Sequence, residues 1–340
     1  MAIPLQDKSL ASYPVTSSLT STGGNEFLYA YNSYTHSLDV FDLEHKSISY
    51  IPLEKEGDNG VLKPVSGISV HNADSIWLFS QGRLHLCNSL GEVKKSVKLP
   101  VPENGFVFVD ANFSIAASKL YYNQLRNSVF YLTVLRTDDH AFYAVYEYNP
   151  DTNEKKVYPV KGNEMEMRSA FDYGWKQMPN VTYTDQYILY NFPITSNIYR
   201  VDIGDGHVGS FGGQSKYTVN LVAEFTGTFD FPQGNRHILE NVHFFEVQYS
   251  PGENVYYRLH LNKTEAGSDD KFREFYNKKD LYLTVFDADL AILNEMKLDP
   301  CLYNYFNSWG VLSKGFFIAK DNEMDTGKDP EMLELDVFTH

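Results

Sequence analysis

The sequence predicts an all-β protein, a six-bladed β-propeller of four-stranded antiparallel blades occupying residues 1–340 as a single domain. Three observations carry this. A short apolar strand ending on a turn residue recurs along the chain: Leu38–Asp42, Leu84–Asn88, Val145–Asn149, Ile198–Asp202 and Leu283–Asp287, with a last copy, Leu333–Asp336, inside a final strand. The copies recur near the 40–50 residues that a four-stranded blade takes, with insertions between Asn88 and Asn149 and between Asp202 and Asp287. The two ends of the chain are also complementary, the last blade being one strand short and the N-terminus holding a spare strand.

Each blade follows from alternation and turn residues placed around its copy. The blades run over about 19–53, 65–99, 113–160, 181–211, 243–298 and 309–338. In the first, strands at 26–32, 38–43 and 47–53 are separated by polar turns. The second to fifth each show four such runs. The sixth offers only 309–312, 315–320 and 332–338, and the run Leu10–Val15 is expected to complete it as the N-terminal closing strand, removing an open sheet edge.

Composition agrees with this architecture. Hydrophobic residues make up 43% of the chain and aromatics 15%, dominated by 25 Tyr and 23 Phe, both favoured in strands. The formal net charge of −15 comes from 29 basic and 44 acidic residues with no basic cluster. A nucleic-acid partner is therefore not expected. No apolar run is long enough to span a membrane, and residues 1–20 carry no signal-peptide pattern. The two cysteines, Cys87 and Cys301, fall in blades 2 and 6, too far apart to bridge, and are expected as free, mostly buried thiols.

The chain resembles the TolB-like six-bladed propellers, in particular uncharacterised exported lipoproteins of gut anaerobes. The residues carrying the resemblance are the Tyr199-Arg200-Val201-Asp202 strand, its echo Tyr257-Arg258-Leu259, and the hairpin from Leu28-Tyr29-Ala30-Tyr31-Asn32 to Val40-Phe41-Asp42. The resemblance covers nearly the whole chain and implies an exported domain, in the periplasm or at the cell surface, tethered by a lipid anchor. The anchoring cysteine expected for such a tether is not present in this sequence.

Propeller geometry puts the long segments 54–64, 100–118, 161–180, 212–242, 262–280 and 321–331 on one face, and tight turns such as Glu44–Lys46 on the other. The long-loop face is where binding is expected. Segment 161–180 is the richest in chemistry: extended, it puts Glu164, Glu166 and Arg168 on one side, with Asp172 and Trp175 following. Carboxylates, a guanidinium and an indole suit a polar, ring-shaped ligand such as a sugar, while a salt-bridged loop anchored by Trp175 is the plainer alternative. His243, expected to line the channel, and Trp309 complete the expected ligand-binding set with Glu164, Glu166, Arg168, Asp172 and Trp175. His237, Glu240 and His243 lack zinc-protease spacing, and Asp321–Gly327 has its Gly at the seventh position where a calcium loop has it at the sixth.

No catalytic, metal or cofactor motif is recognised. The expected function is that of a non-catalytic binding or scaffolding module, whose long-loop face and channel mouth engage a glycan, peptide or protein partner. The alternative is a glycan-active hydrolase or lyase using Glu164, Glu166 or Asp172 with Arg168.

Overall fold

The computed structural model describes residues 1–6, 8–109, 117–137, 141–162, 173, 178–225, 230–265, 279–306 and 308–340. Its strands form six antiparallel sheets arranged as blades. After β1 (Ala2–Pro4), blade 1 comprises β2 (Thr16–Thr20), β3 (Glu26–Asn32), β4 (Ser37–Asp42) and β5 (Ser47–Pro52). Blade 2 comprises β6 (Val65–Asn72), β7 (Ser75–Ser80), β8 (Arg83–Cys87) and β9 (Val93–Lys98). Blade 3 has β10 (Gly105–Phe108), β11 (Tyr121–Asn123), β12 (Ser128–Arg136), β13 (Ala141–Tyr148) and β14 (Lys155–Val160). Blade 4 runs β15 (Asn180–Tyr183), β16 (Tyr187–Asn191), β17 (Asn197–Asp202) and β18 (Val208–Gly212). The helix α1 (Phe231–Glu240) precedes blade 5, which runs β19 (His243–Ser250), β20 (Val255–Leu261), β21 (Leu281–Phe286) and β22 (Ile292–Leu298). Blade 6 has β23 (Trp309–Leu312), β24 (Gly315–Ala319) and β25 (Met332–Phe338).

The burial of each strand follows from its place in the blade. Middle strands are covered on both faces by neighbouring blades, so β20 and β21 are buried at every residue. Outer strands are half-solvated and alternate, as in Val93–Lys98 and Val208–Gly212. Blade 3 departs from the simple plan. Its inner edge is made of two pieces that share β12: Tyr121–Asn123 pairs with Ser128–Phe130, and Gly105–Phe108 pairs with Leu132–Leu135.

The repeated turn residue has a physical cause. Asp42 Oδ1 accepts from the amides of Glu44 (3.1 Å) and His45 (2.9 Å), and Asn88 Oδ1 from Leu90 (3.1 Å) and Glu92 (2.9 Å). Asn149, Asp202 and Asp287 do the same for Asp151, Gly204 and Asp289. Each is an Asx turn that replaces the backbone bonds lost where the third strand hands over to the fourth. Asp336 differs because its blade has no such turn. It sits within β25 and accepts from the Tyr303 hydroxyl (2.7 Å), with Lys320 Nζ at 3.1 Å.

Adjacent inner strands are stitched by side chains. Ser17 Oγ accepts from Val70 N (3.1 Å) across blades 1 and 2, and Ser69 Oγ from Tyr122 N (2.9 Å) across blades 2 and 3. Asn180 joins three blades at once, accepting from Ala117 N (2.7 Å) and donating to Phe244 O (3.0 Å). Thr182 donates to Val247 O, Ser250 to Leu312 O (2.9 Å) and Ser18 to Val311 O (2.9 Å), which completes the circuit.

Closure is made by the N-terminal strand, but not by residues 10–15. Ala2, Ile3 and Pro4 pair with Glu334, Leu333 and Met332, and Ile3 is fully buried. The run Leu10–Val15 is instead a non-strand connector across the seam between blades 6 and 1. Its apolar character comes from Leu10, Tyr13 and Val15, which pack into the core there, and Tyr13 donates to Asp39 Oδ2 (2.5 Å), a carboxylate also held by Asn32 and Ser37. The first strand of blade 1 is the hydroxyl-rich Thr16–Thr20, whose polarity fits an inner strand facing the channel. Cys87 is buried as expected, whereas Cys301 is exposed, because it follows Asp299 and Pro300 in a turn after β22; neither is in a disulfide.

Removal of residues 1–5 is expected to bare the outer edge of β25, lower the melting temperature and promote aggregation. Ile3→Ala should cost about 2–4 kcal/mol of unfolding free energy in urea titrations. Wild-type stability in both variants would contradict this closure.

Candidate functional site

The inner strands of all six blades enclose a central cavity of about 790 Å³. β2, which contributes Thr16 to Thr20, meets Ile68 to Val70, Lys119 to Tyr121, Thr182, Tyr183, Gln248 and Trp309 to Leu312 around it. The lining continues into the tight turns at Thr184 to Gln186, Pro251, Asn254, Ala288, Asp289 and Ser313, so the cavity reaches the face opposite the long loops. Sequence reasoning pointed to the long-loop face. The signal for this second location is the row of Ser and Thr in 16–20, which reads as too polar for a strand until it is seen to line a channel.

The wall sets hydroxyls and amides beside apolar side chains such as Leu19, Ile68, Val70 and Val311 in about equal measure. Lys119 is the cation within the channel, and its Nζ lies 3.4 Å from Glu246 Oε1, whose side chain is almost wholly buried and also accepts from Gln248 Nε2 (3.1 Å). At the mouth, Tyr121 donates to Asp185 Oδ1 (2.6 Å) and stacks with Tyr183 at 6.0 Å. Burial, reinforced for Tyr121 by Asp185, pushes both phenols up, so both remain protonated. The Arg200 guanidinium lies between the rings of Tyr187 (4.7 Å) and Phe211 (4.8 Å) and donates to Ala288 O (2.9 Å).

Of the residues singled out from sequence, Glu164, Glu166, Arg168, Asp172 and Trp175 lie outside the described residues. Trp309 lines the cavity toward its long-loop end. It packs edge-on against Phe245 (5.8 Å), and its indole N–H donates to Tyr305 O (3.1 Å). His243 is 1% exposed, with its ring against Phe245 at 4.5 Å, behind the wall rather than on it. His237 and Glu240 belong to α1, not to a strand. Asp230 caps that helix by accepting from Gln233 N (2.8 Å), and Pro232 sits in its first turn. His237 is bonded to Ala223 O (2.7 Å) and Glu240 to Arg236 (2.8 Å), so the three residues do not converge. In 321–327, Asp321 pairs with Lys328 (3.0 Å) and Asp325 caps Gly327 N (2.8 Å). Among the described residues no three His, Cys, Asp or Glu are grouped to hold a metal.

The long-loop face has a different character. Tyr34, Leu62, Phe106, Phe142, Tyr217, Leu221 and Met324 are exposed, and all belong to its connections or adjoining strand ends. Among the described residues the opposite face exposes Leu90 and Leu125 in its tight turns and Val208, Ile292 and Leu293 at adjoining strand ends, but no aromatic side chain.

Beneath that face a buried cation sets the loop positions. Arg258 is 0% exposed, lies between Phe244 (4.7 Å) and Phe286 (5.2 Å), and donates to Ser196 O (2.7 Å) and Gly213 O (2.6 Å). A Cβ at Gly213 would lie 3.0 Å from the guanidinium and 2.9 Å from Ser196 O, which requires glycine there. Burial, opposed by the nearby Glu295 carboxylate, pushes the Arg258 pKa down to about 9, so the group stays charged at neutral pH. His260 Nε2 lies 3.3 Å from Glu295 Oε1 without hydrogen-bond alignment. Burial first, and Arg258 second, hold that imidazole neutral, well below its ordinary value.

His36 and His85 are likewise held below their ordinary values, mainly by burial. For all three the unfolded chain binds protons that the folded one does not, so stability is full above about pH 6.5 and falls as pH drops below it. The urea midpoint is expected to be lower at pH 5 than at pH 7, with His260→Gln reducing the difference. A midpoint that rises on acidification would contradict this.

A family model for a domain of unknown function, DUF4221, matches residues 3–297, from the closing strand to the outer strand of blade 5. The structure of a DUF4221 member from Bacteroides vulgatus superposes with a TM-score of 0.82 at 20% identity, covering 100% of this chain and 97% of that one. A Bacteroides fragilis protein of solved structure gives a TM-score of 0.49 at 13% identity over 94% of this chain and 83% of its own. A protein of unknown function from Bacteroides caccae gives 0.43 at 11% identity over 87% and 84%. No curated protein is significantly similar to the chain. With its closing strand and first five blades spanned by the family model, this chain belongs to the DUF4221 family.

Proposed function

We propose that this propeller is a non-catalytic binding or scaffolding module whose long-loop face and channel mouth engage a glycan, peptide or protein partner. The observation that carries the reading is the difference between its faces. The exposed aromatic side chains Tyr34, Phe106, Phe142 and Tyr217 gather on the long-loop side, while exposed aliphatic ones are scattered over both faces, the ordinary pattern. Arg258 and Asn180 support the reading by holding the backbone beneath that side rigid, and a fixed scaffold lowers the entropy cost of association. The channel adds polar groups without an evident acid–base pair. Asp185, the mouth carboxylate best placed to act, is already bonded by Tyr121.

The setting proposed for this activity is outside the cytoplasm, as the likeness to TolB-like exported lipoproteins implies, with a lipid tether in the natural protein. Among the described residues no helix is long and apolar enough to cross a membrane.

The test is a thermal-shift panel of oligosaccharides, short peptides and divalent metals, followed by hydrogen-exchange mapping of any hit. A ligand at 100 times its Kd adds about 2.7 kcal/mol and shifts the transition visibly. Protection is expected around 213–225 and at the channel mouth. A flat panel together with unchanged exchange in the presence of cell-envelope extract would overturn the binding reading.

A further inference from the structure

The channel carries a more specific inference, which rests on the binding reading but not on what docks against the long-loop face. We propose that the central cavity is a site for a neutral, hydroxyl-rich ligand, a short saccharide, entering through the tight-turn mouth. Three features of the wall select that class.

The first is size and enclosure. A cavity of about 790 Å³ falls within the range of small-ligand sites, roughly 300–1,000 Å³, and its wall is contributed by every blade, so it is preformed by closure of the ring. The second is charge. The ammonium of Lys119 is paired with Glu246 behind it, while Asp185, Asp289 and the Arg200 guanidinium sit at the entrance. An ion of either sign meets like charge along the path, an anion at Asp185 and Asp289 and a cation at Arg200 and Lys119. A neutral ligand meets neither barrier.

The third is the pairing of hydroxyls and amides with aromatic rings. Thr16, Thr20 and Gln186 contribute polar side chains to the wall, and Lys119 has N–H donors beyond its long contact with Glu246. Ser17, Ser69 and Thr182 use part of their capacity at the blade seams and keep part for the channel. Tyr187, with Arg200 over one face of its ring, supplies an amphipathic ring at the mouth. A sugar presents the complementary set, hydroxyls around its rim and C–H groups on its faces. An apolar ligand would strand the wall's polar groups.

Calorimetric titration of the full chain with maltotriose, cellotriose and mannotriose, and with inorganic phosphate as the anionic control, tests this. At least one trisaccharide is expected to bind saturably, and phosphate is not. Thr16→Phe, which fills the channel, is expected to weaken that binding at least about tenfold. Tyr187→Ala, at the mouth, is expected to do the same and carries the test if Thr16→Phe does not fold. Leu221→Ser, on the long-loop face, should leave it unchanged. Failure of all three sugars to bind, competition by phosphate, or binding that is insensitive to both channel variants would overturn the proposal. Loss in Leu221→Ser alone would move the sugar to the long-loop face and leave the binding-module reading standing.

Discussion

Ring closure is the constraint on which the other features depend. A blade is a small sheet whose faces are apolar and whose inner strand carries polar groups. Neither surface is satisfied until a blade stands on each side. The junction of blades 6 and 1 is where the chain must meet itself, and three devices act there. Ala2–Pro4 adds the missing outer strand to β25. Tyr13 threads the connector into the seam, bonding Asp39 in blade 1 while its backbone N–H donates to Ser308 Oγ (2.6 Å) beside blade 6. Ser18 completes the inner circuit at Val311 O. With the last blade completed, each blade has a neighbour on both faces, and middle strands such as Val255–Leu261 are buried along their whole length.

Closure also creates the channel. The side chains that bind one blade to the next through Ser17, Ser18, Ser69 and Thr182 are the same ones that give the cavity its hydroxyl lining. Stability and the chemistry of the site are therefore coupled: an apolar substitution on an inner strand removes a seam bond and a wall donor together. The long-loop face is arranged differently. Its loops are fixed from below by the Arg258 guanidinium, which joins two carbonyls of separate loops across a blade seam, so its upper surface is free of that duty.

The fold was readable in the sequence where local physics repeats. The Asp or Asn after each third strand performs the same Asx capping in blades 1 to 5, and the alternating aromatics of the middle strands follow from packing on both sides. What could not be read were elements whose cause lies elsewhere in the chain. Ala2–Pro4 is too short to show a pattern and is a strand only because Met332–Glu334 lies beside it. Thr16–Thr20 lacks apolar alternation because it is the inner edge of its blade, with Ser17 bonded toward blade 2, Ser18 toward blade 6 and all five residues at the channel. Leu10–Val15 imitates a strand because Leu10, Tyr13 and Val15 pack into the core. Helix α1 had a readable start in Asp230 and Pro232, hidden within a segment taken as loop. The wall of the candidate cavity could not be read because it requires knowing which strands form the inner edge of the ring, where Thr16 to Thr20 contribute consecutively.

The most direct test of the closed ring is a disulfide across its last junction, made by Ala2→Cys with Glu334→Cys, Cα partners in the closing pair, in a Cys301→Ser background that removes the exposed thiol. The account predicts that the oxidised protein forms an intramolecular bond and gains about 2–4 kcal/mol over its reduced form in urea titrations. Failure of the bond to form in the folded protein would contradict closure by residues 2–4, because it would place residue 2 away from β25.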